Sequence, residues 1–218
     1  MLAVAMSFAA GLAHPARAEE LPPLHRGDVI FQDSLSEQSL AISLATGSPY
    51  THVGIVDFDA SGQPVVLEAV QTTRETPLAD WLTHGAKGDV AVYRFQGLTN
   101  DQALAITKSA RSHFGKPYDP YFYTSEDQLY CSELVFIAFR DGIGVTLGRA
   151  QELRELNLAN EAAVALVGER WERHPLCKDG QAGDAGACLA IIQTSPLITP
   201  QAQAEDARLT LIHSSFDG

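Results

Sequence analysis

The sequence predicts a mixed α+β domain, and three stretches carry that prediction. Residues 50–58 and 65–70 are rich in Val, Ile, Leu and Phe and flank Asp59-Ala60-Ser61-Gly62, the composition of an antiparallel hairpin with its turn. Residues 90–95 alternate apolar and polar side chains like a further strand. The apolar run Leu134-Val135-Phe136-Ile137-Ala138-Phe139 is long enough for a buried helix of about three turns, with Gly142 as its stop signal.

The remaining elements follow in order. Residues 27–32 read as an opening strand, and residues 36–45 as a helix with Ser34 or Ser36 as N-cap, ended by Thr46-Gly47-Ser48-Pro49. Residues 73–77 read as a loop and 78–83 as a short helix carrying Trp81. Thr99 caps a helix over 100–113 that Gly115 ends. Residues 118–127 form a polar, aromatic loop leading to Tyr130-Cys131-Ser132-Glu133. Residues 151–173 carry apolar positions three and four apart, which predicts a helix. An apolar run at 189–192 and a last strand at 208–213 close the chain.

The 218 residues suffice for one domain with a sizeable core, and 45% hydrophobic with 19% charged residues is ordinary globular composition. A net charge of −12 disfavours nucleic acid and anionic lipid as electrostatic partners. Residues 1–18 are almost all apolar or small and end Ala16-Arg17-Ala18 before Glu19-Glu20, the pattern of a signal-peptidase junction. No Lys or Arg precedes the apolar run, a departure from the usual signal sequence, and the run is too short to span a membrane. Export to a bacterial periplasm is expected.

Cysteine usage agrees with that compartment. Cys177 and Cys188 bracket a short Gly/Asp/Ala loop and are expected to form a disulfide worth about 3 kcal/mol on the chain-entropy model. Their spacing matches no usual zinc motif. Cys131 is then the unpaired thiol. At the first turn of its helix, free N–H groups and the positive end of the helix dipole favour the thiolate.

A thiol hydrolase also needs a base and a group to orient it. Folding the hairpin about Ala60 places His52 opposite Glu68 on one face, so the chain can supply Cys131 as nucleophile, His52 as base and Glu68 as orienter. The Cys131 backbone N–H is a natural oxyanion donor, with Tyr130 and Gln32 as candidates for a second donor or substrate contact. A metal role for Cys131, His52 and Glu68 is disfavoured because no further ligand stands at metal spacing, and no cofactor is expected.

Gly27-Asp28-Val29-Ile30-Phe31-Gln32, Thr51-His52-Val53-Gly54, Leu67-Glu68-Ala69, Pro117-Tyr118-Asp119 and Tyr130-Cys131-Ser132-Glu133-Leu134 resemble the YiiX-like family, the circularly permuted branch of the NlpC-type papain-like hydrolases. The resemblance runs from about Leu24 to Trp171. It implies a permuted papain-like fold: a small antiparallel sheet packed on the nucleophile helix, with site residues in the order His52, Glu68, Cys131. The expected organisation is a signal peptide (1–18), a hydrolase domain (19–171) and a C-terminal extension (172–218). The expected activity is cleavage of an amide in a cell-wall peptide (a peptidoglycan fragment) or an acylated amino-acid amide through a thioester. The same site on a lipid would make a thioesterase or acyltransferase, with residues 118–123 and Trp81 lining an apolar cleft. A binding protein with a retired site is the non-catalytic alternative.

Overall fold

The computed structural model describes residues 21–125 and 127–216; the expected signal peptide lies outside them. Strand β1 (Val29–Ser34) leads to helix α1 (Ser39–Thr46), then to β2 (His52–Phe58), β3 (Pro64–Ala69) and β4 (Thr73–Pro77). Helix α2 (Leu78–Thr83), strand β5 (Gly85–Phe95), α3 (Asn100–Arg111) and α4 (Cys131–Ile143) follow. The remainder holds β6 (Gln151–Glu152), α5 (Glu161–Arg170), α6 (Ala185–Ile192), β7 (Pro196–Leu197), α7 (Pro200–Ala204) and β8 (Leu209–Ser214).

Six strands form one antiparallel sheet in the order β4-β3-β2-β1-β5-β8. Period-2 alternation sorts its side chains between two cores. Val29, Phe31, Val53, Ile55, Val65, Leu67 and Ala91 face α3 and α4, while Ile30, Val56, Val66, Val90 and Val92 face α2 and its fully buried Trp81. With both faces covered, the strands read as apolar runs, each fully buried aliphatic side chain contributing roughly 1.5–3 kcal/mol.

The hairpin register differs from the expected one. Ile55 pairs with Leu67 and Phe58 with Pro64, so the pivot is Ser61 and the partner of each β2 residue lies two positions further along β3. A slip of two preserves the face, so His52 and Glu68 remain on one side of the sheet as diagonal rather than direct neighbours. Gly54 makes the diagonal possible. A Cβ there would meet Val66 Cγ1 at 2.3 Å and Glu68 Cβ at 3.6 Å.

Four other expectations are corrected. Residues 73–77 are the edge strand β4, paired along their length with β3. Helix α1 starts at Ser39 behind Gln38, without a side-chain cap; the Ser34 and Ser36 hydroxyls bind one another and Ser39 instead. Helix α4 runs through Gly142 and stops at Gly144, whose φ of 73° is left-handed. Gly142 is the close-approach point of α3 and α4, where a Cβ would lie 2.8 Å from the Ile106 backbone. Residues 151–173 are not one helix: a 3-10 turn (Leu153–Glu155) and an extended stretch precede α5, which begins where the Asn160 side chain caps the Ala163 N–H. Of the apolar positions, Leu153, Leu156, Leu158 and Leu166 line one common cavity from several short pieces, while Val164 is exposed.

Residues 172–216 reach back into the rest of the chain. Strand β8 completes the sheet beside β5. Helix α7 and the turn before it grip the start of α4: Ile198 N–H donates to the Tyr130 hydroxyl (3.1 Å), Ser132 Oγ donates to Ile198 O (3.0 Å), and Gln203 Nε2 donates to Ser132 O (2.8 Å). Cys177 and Cys188 are disulfide-bonded. No helix among the described residues is long and apolar enough to cross a membrane.

Candidate active site

Cys131 is the first residue of α4, and its thiol is the free cysteine of the described chain. The preceding residue, Tyr130, is extended (φ −96°, ψ 167°), so the chain enters the helix abruptly and leaves the first-turn N–H groups without helical partners. Burial pushes the thiol pKa up. The hydrogen bond and charge of His52, with the N–H groups of Val53 and Ser132, outweigh burial and hold it below its ordinary value.

His52 opens β2 at the sheet margin, which lets an imidazole on the α2 side meet a thiol carried by a helix on the other. Its Nε2 lies 2.7 Å from Glu68 Oε2, which leaves Nδ1 to face the sulfur. Burial disfavours the imidazolium, yet the bond to Cys131 and then that to Glu68 prevail, and the pKa is pushed up to about 10. Thiol down and imidazole up together favour a thiolate–imidazolium pair at neutral pH.

Glu68 is 1% exposed. Burial raises its pKa, but His52, then Thr76 and Arg74, bring it below the usual carboxylate range. Thr76 Oγ1 donates to Oε1 at 2.6 Å, and Arg74 Nε stands 3.9 Å away from that oxygen. Thr76 was hidden in the sequence because its strand reads as a loop. Trp81, expected in the cleft, is buried beside the His52 ring instead, with centroids 6.1 Å apart.

The two further candidates separate. Gln32 pairs with His52 across β1 and β2, on the same face, and Gly85 leaves room for its amide: a Cβ there would lie 3.0 Å from Gln32 Oε1. The Tyr130 hydroxyl oxygen accepts from Ile198 N–H at 3.1 Å, which ties the ring to the segment before α7. Tyr118, expected along the cleft with residues 119–123, is not among the residues that line it and lies close enough to Cys131 for their charges to interact. Burial, then that charge, holds its phenol well above the ordinary pKa. Gln38 Nε2 donates to the Tyr118 oxygen at 2.5 Å, leaving the phenolic hydrogen free to donate.

A cavity of about 120 Å³ opens beside Cys131. Its walls are Ala41, Ile42 and Ala45 of α1, the aromatic loop, and aliphatic side chains such as Leu166, Val167 and Ile192 of α5 and α6. Tyr121, Phe122 and Tyr123 line it as expected. The lining is almost entirely apolar, and the disulfide ties α6, one of its walls, to the turn that holds Cys177.

His174, Cys177 and Cys188 are the one group of three potential metal-ligating side chains among the described residues, and the disulfide occupies both sulfurs. His52 Nε2 and Glu68 Oε2 satisfy one another. Neither donor set, as arranged, fits a resident metal.

Residues 23–213 match the family model of a permuted papain-like amidase enzyme, YaeF/YiiX, C92 family. The uncharacterized protein YiiX of Escherichia coli (strain K12) is 39% identical over 149 residues, 68% of this chain and 73% of that protein. The crystal structure of metalloprotein YiiX from Escherichia coli O157:H7 superposes with a TM-score of 0.77 at 34% identity, covering 88% of this chain and 98% of that one.

Proposed function

This chain belongs to the YaeF/YiiX, C92 family of permuted papain-like amidases, a cysteine hydrolase family, and on that premise we propose that it hydrolyses the amide of an acylated amino acid. Cys131 is the nucleophile, His52 the general acid and base, and Glu68 the group that orients His52. The observation that carries the substrate class is the apolar cleft ending at the Cys131 thiol. An acyl chain gains by burial there at roughly 25 cal/mol per Å². A cell-wall peptide brings charged and amide groups for which these walls offer few partners.

The thiolate attacks the amide carbon, forming a C–S bond. The developing oxyanion is met by the Cys131 backbone N–H and the Tyr118 hydroxyl, with Gln32 as the further side-chain donor. The imidazolium of His52 gives its proton to the leaving amine as the C–N bond breaks, leaving a thioester. Neutral His52 then takes a proton from water, hydroxide displaces the thiol, and a fatty acid leaves. Glu68 keeps the ring in the productive tautomer throughout.

The disulfide supports an oxidising compartment, and with the Ala16-Arg17-Ala18 junction we place the mature protein in the periplasm. The same cleft favours a second reading, transfer or hydrolysis of an acyl group from a lipid ester or thioester.

The test is N-lauroylglycine with wild type and Cys131→Ala, followed by amine release and by intact mass of the acid-quenched enzyme. A lauroyl adduct on Cys131 and an inert Cys131→Ala protein are expected. Equal turnover by the variant defeats the assignment. Faster cleavage of peptidoglycan fragments than of acyl amides reverses the substrate order, and faster acyl loss from lipid esters selects the second reading.

A further inference from the structure

One corner of the apolar cleft is cationic. Arg170, the last residue of α5, lines it half-buried. Its Nη1 donates to Pro120 O at 2.5 Å and to Gln38 Oε1 at 3.1 Å. Gln38 in turn donates to Tyr118, whose charge interacts with Cys131, so this corner is linked to the nucleophile through two side chains.

A guanidinium carries five N–H donors. Two are committed here, both on Nη1, and no partner is found for Nε–H or the Nη2 pair among the described residues. Nor does any carboxylate lie within ion-pair distance of Arg170 among them, whereas Arg94 and Arg111, also partly buried, each hold one. Glu37 and Glu169 sense its charge from exposed positions without touching it, as do Tyr118 and Tyr121. Asp119 also feels it, but its oxygens accept from the Tyr121 and Tyr123 N–H groups. Desolvation outweighs these more distant charges and lowers the Arg170 pKa. A cation so placed is poised for an incoming anion, and Nε–H with Nη2–H form the side-on fork that fits a carboxylate.

We infer that Arg170 is a carboxylate-binding subsite: it takes the free carboxylate of an N-acyl amino acid whose chain fills the cleft and whose amide meets Cys131. This rests on the acyl-amide reading above. The selection is local, because a chain of net charge −12 offers no long-range attraction to an anion.

Binding to Cys131→Ala, which needs no turnover, tests it by calorimetry with N-lauroylglycine and its neutral methyl ester. The acid is expected to bind about tenfold to a hundredfold tighter, the range of a charge-assisted hydrogen-bonded pair. Adding Arg170→Gln should weaken the acid alone and erase that preference, and Arg170→Lys should restore part of it. Equal binding of acid and ester to Cys131→Ala, binding of neither, or parallel weakening of both by Arg170→Gln overturns the proposal. The last result would leave Arg170 as a brace between α5, Pro120 and Gln38. If the carboxylate preference holds while the intact enzyme leaves N-lauroylglycine uncleaved, the amidase assignment falls and the subsite stands.

Discussion

Replacing Glu68 by Gln isolates the charge on which the thiolate–imidazolium pair depends. Glutamine keeps an oxygen to accept from His52 and an amide facing the Thr76 hydroxyl, which can turn to accept, so shape and hydrogen bonding survive. The ionic part of a 2.7 Å contact between a 1% exposed carboxylate and the ring is lost. A hydrogen bond to a charged group contributes about 1.5–3 kcal/mol, or roughly 1–2 pKa units at 1.36 kcal/mol per unit. His52, held at about 10 in the wild type, should drop by that amount, and the Cys131 thiol should rise in concert. The reactive window therefore narrows from both sides: its alkaline limb moves to roughly pH 8–9, and its acid limb moves up. Iodoacetamide alkylation of Cys131 as a function of pH reads the thiolate directly, without a substrate, and the disulfide keeps Cys177 and Cys188 silent. An alkylation profile unchanged by Glu68→Gln would refute the reasoning, whatever happened to turnover.

Two predictions concern stability. Gly142→Ala places a methyl group 2.8 Å from the Ile106 backbone, which cannot move as a side chain can. Overpacking of about 1–3 kcal/mol should exceed the helix-propensity gain of about 1 kcal/mol and lower the urea midpoint, whereas Gly168→Ala, with nothing within 4 Å, should hold or raise it. Glu133 is 3% exposed with no hydrogen-bond partner for Oε2 among the described residues. Burial, then the Asp119 charge, pushes its pKa up to about 8. The folded state thus holds a proton that the unfolded chain releases at ordinary carboxylate pH. The associated stability is complete below about pH 4.5 and is lost as pH rises through about 8. Urea denaturation at pH 5, 7 and 9 should show the wild type losing a few kcal/mol that Glu133→Gln retains; parallel losses would contradict the assignment.

The local features were legible because they depend on neighbours in the chain. Strand alternation, the Thr99 cap, the Cys177–Cys188 pair and the entry to the Cys131 helix are short-range matters of backbone sterics and hydrogen bonding. The His52–Glu68 approach was foreseen for an inexact reason. Only the parity of the register mattered, and a two-residue slip left the face unchanged. Gly142 misled because a glycine ends one helix and lets another approach; only the position of α3 distinguishes the two roles.

The sequence by itself determined which side chains with useful chemistry stand at element boundaries: a thiol opening a helix, an imidazole opening a strand, an acid within an apolar run. Tertiary structure alone decided which of them meet and in what charge state, because pKa values follow from burial and from partners distant along the chain. It also decided that α1, α5 and α6 enclose an apolar cleft beside the thiol, and that Arg170 enters it with no carboxylate of the described residues within ion-pair distance. Those outcomes arise from packing between distant segments, and no local propensity encodes them.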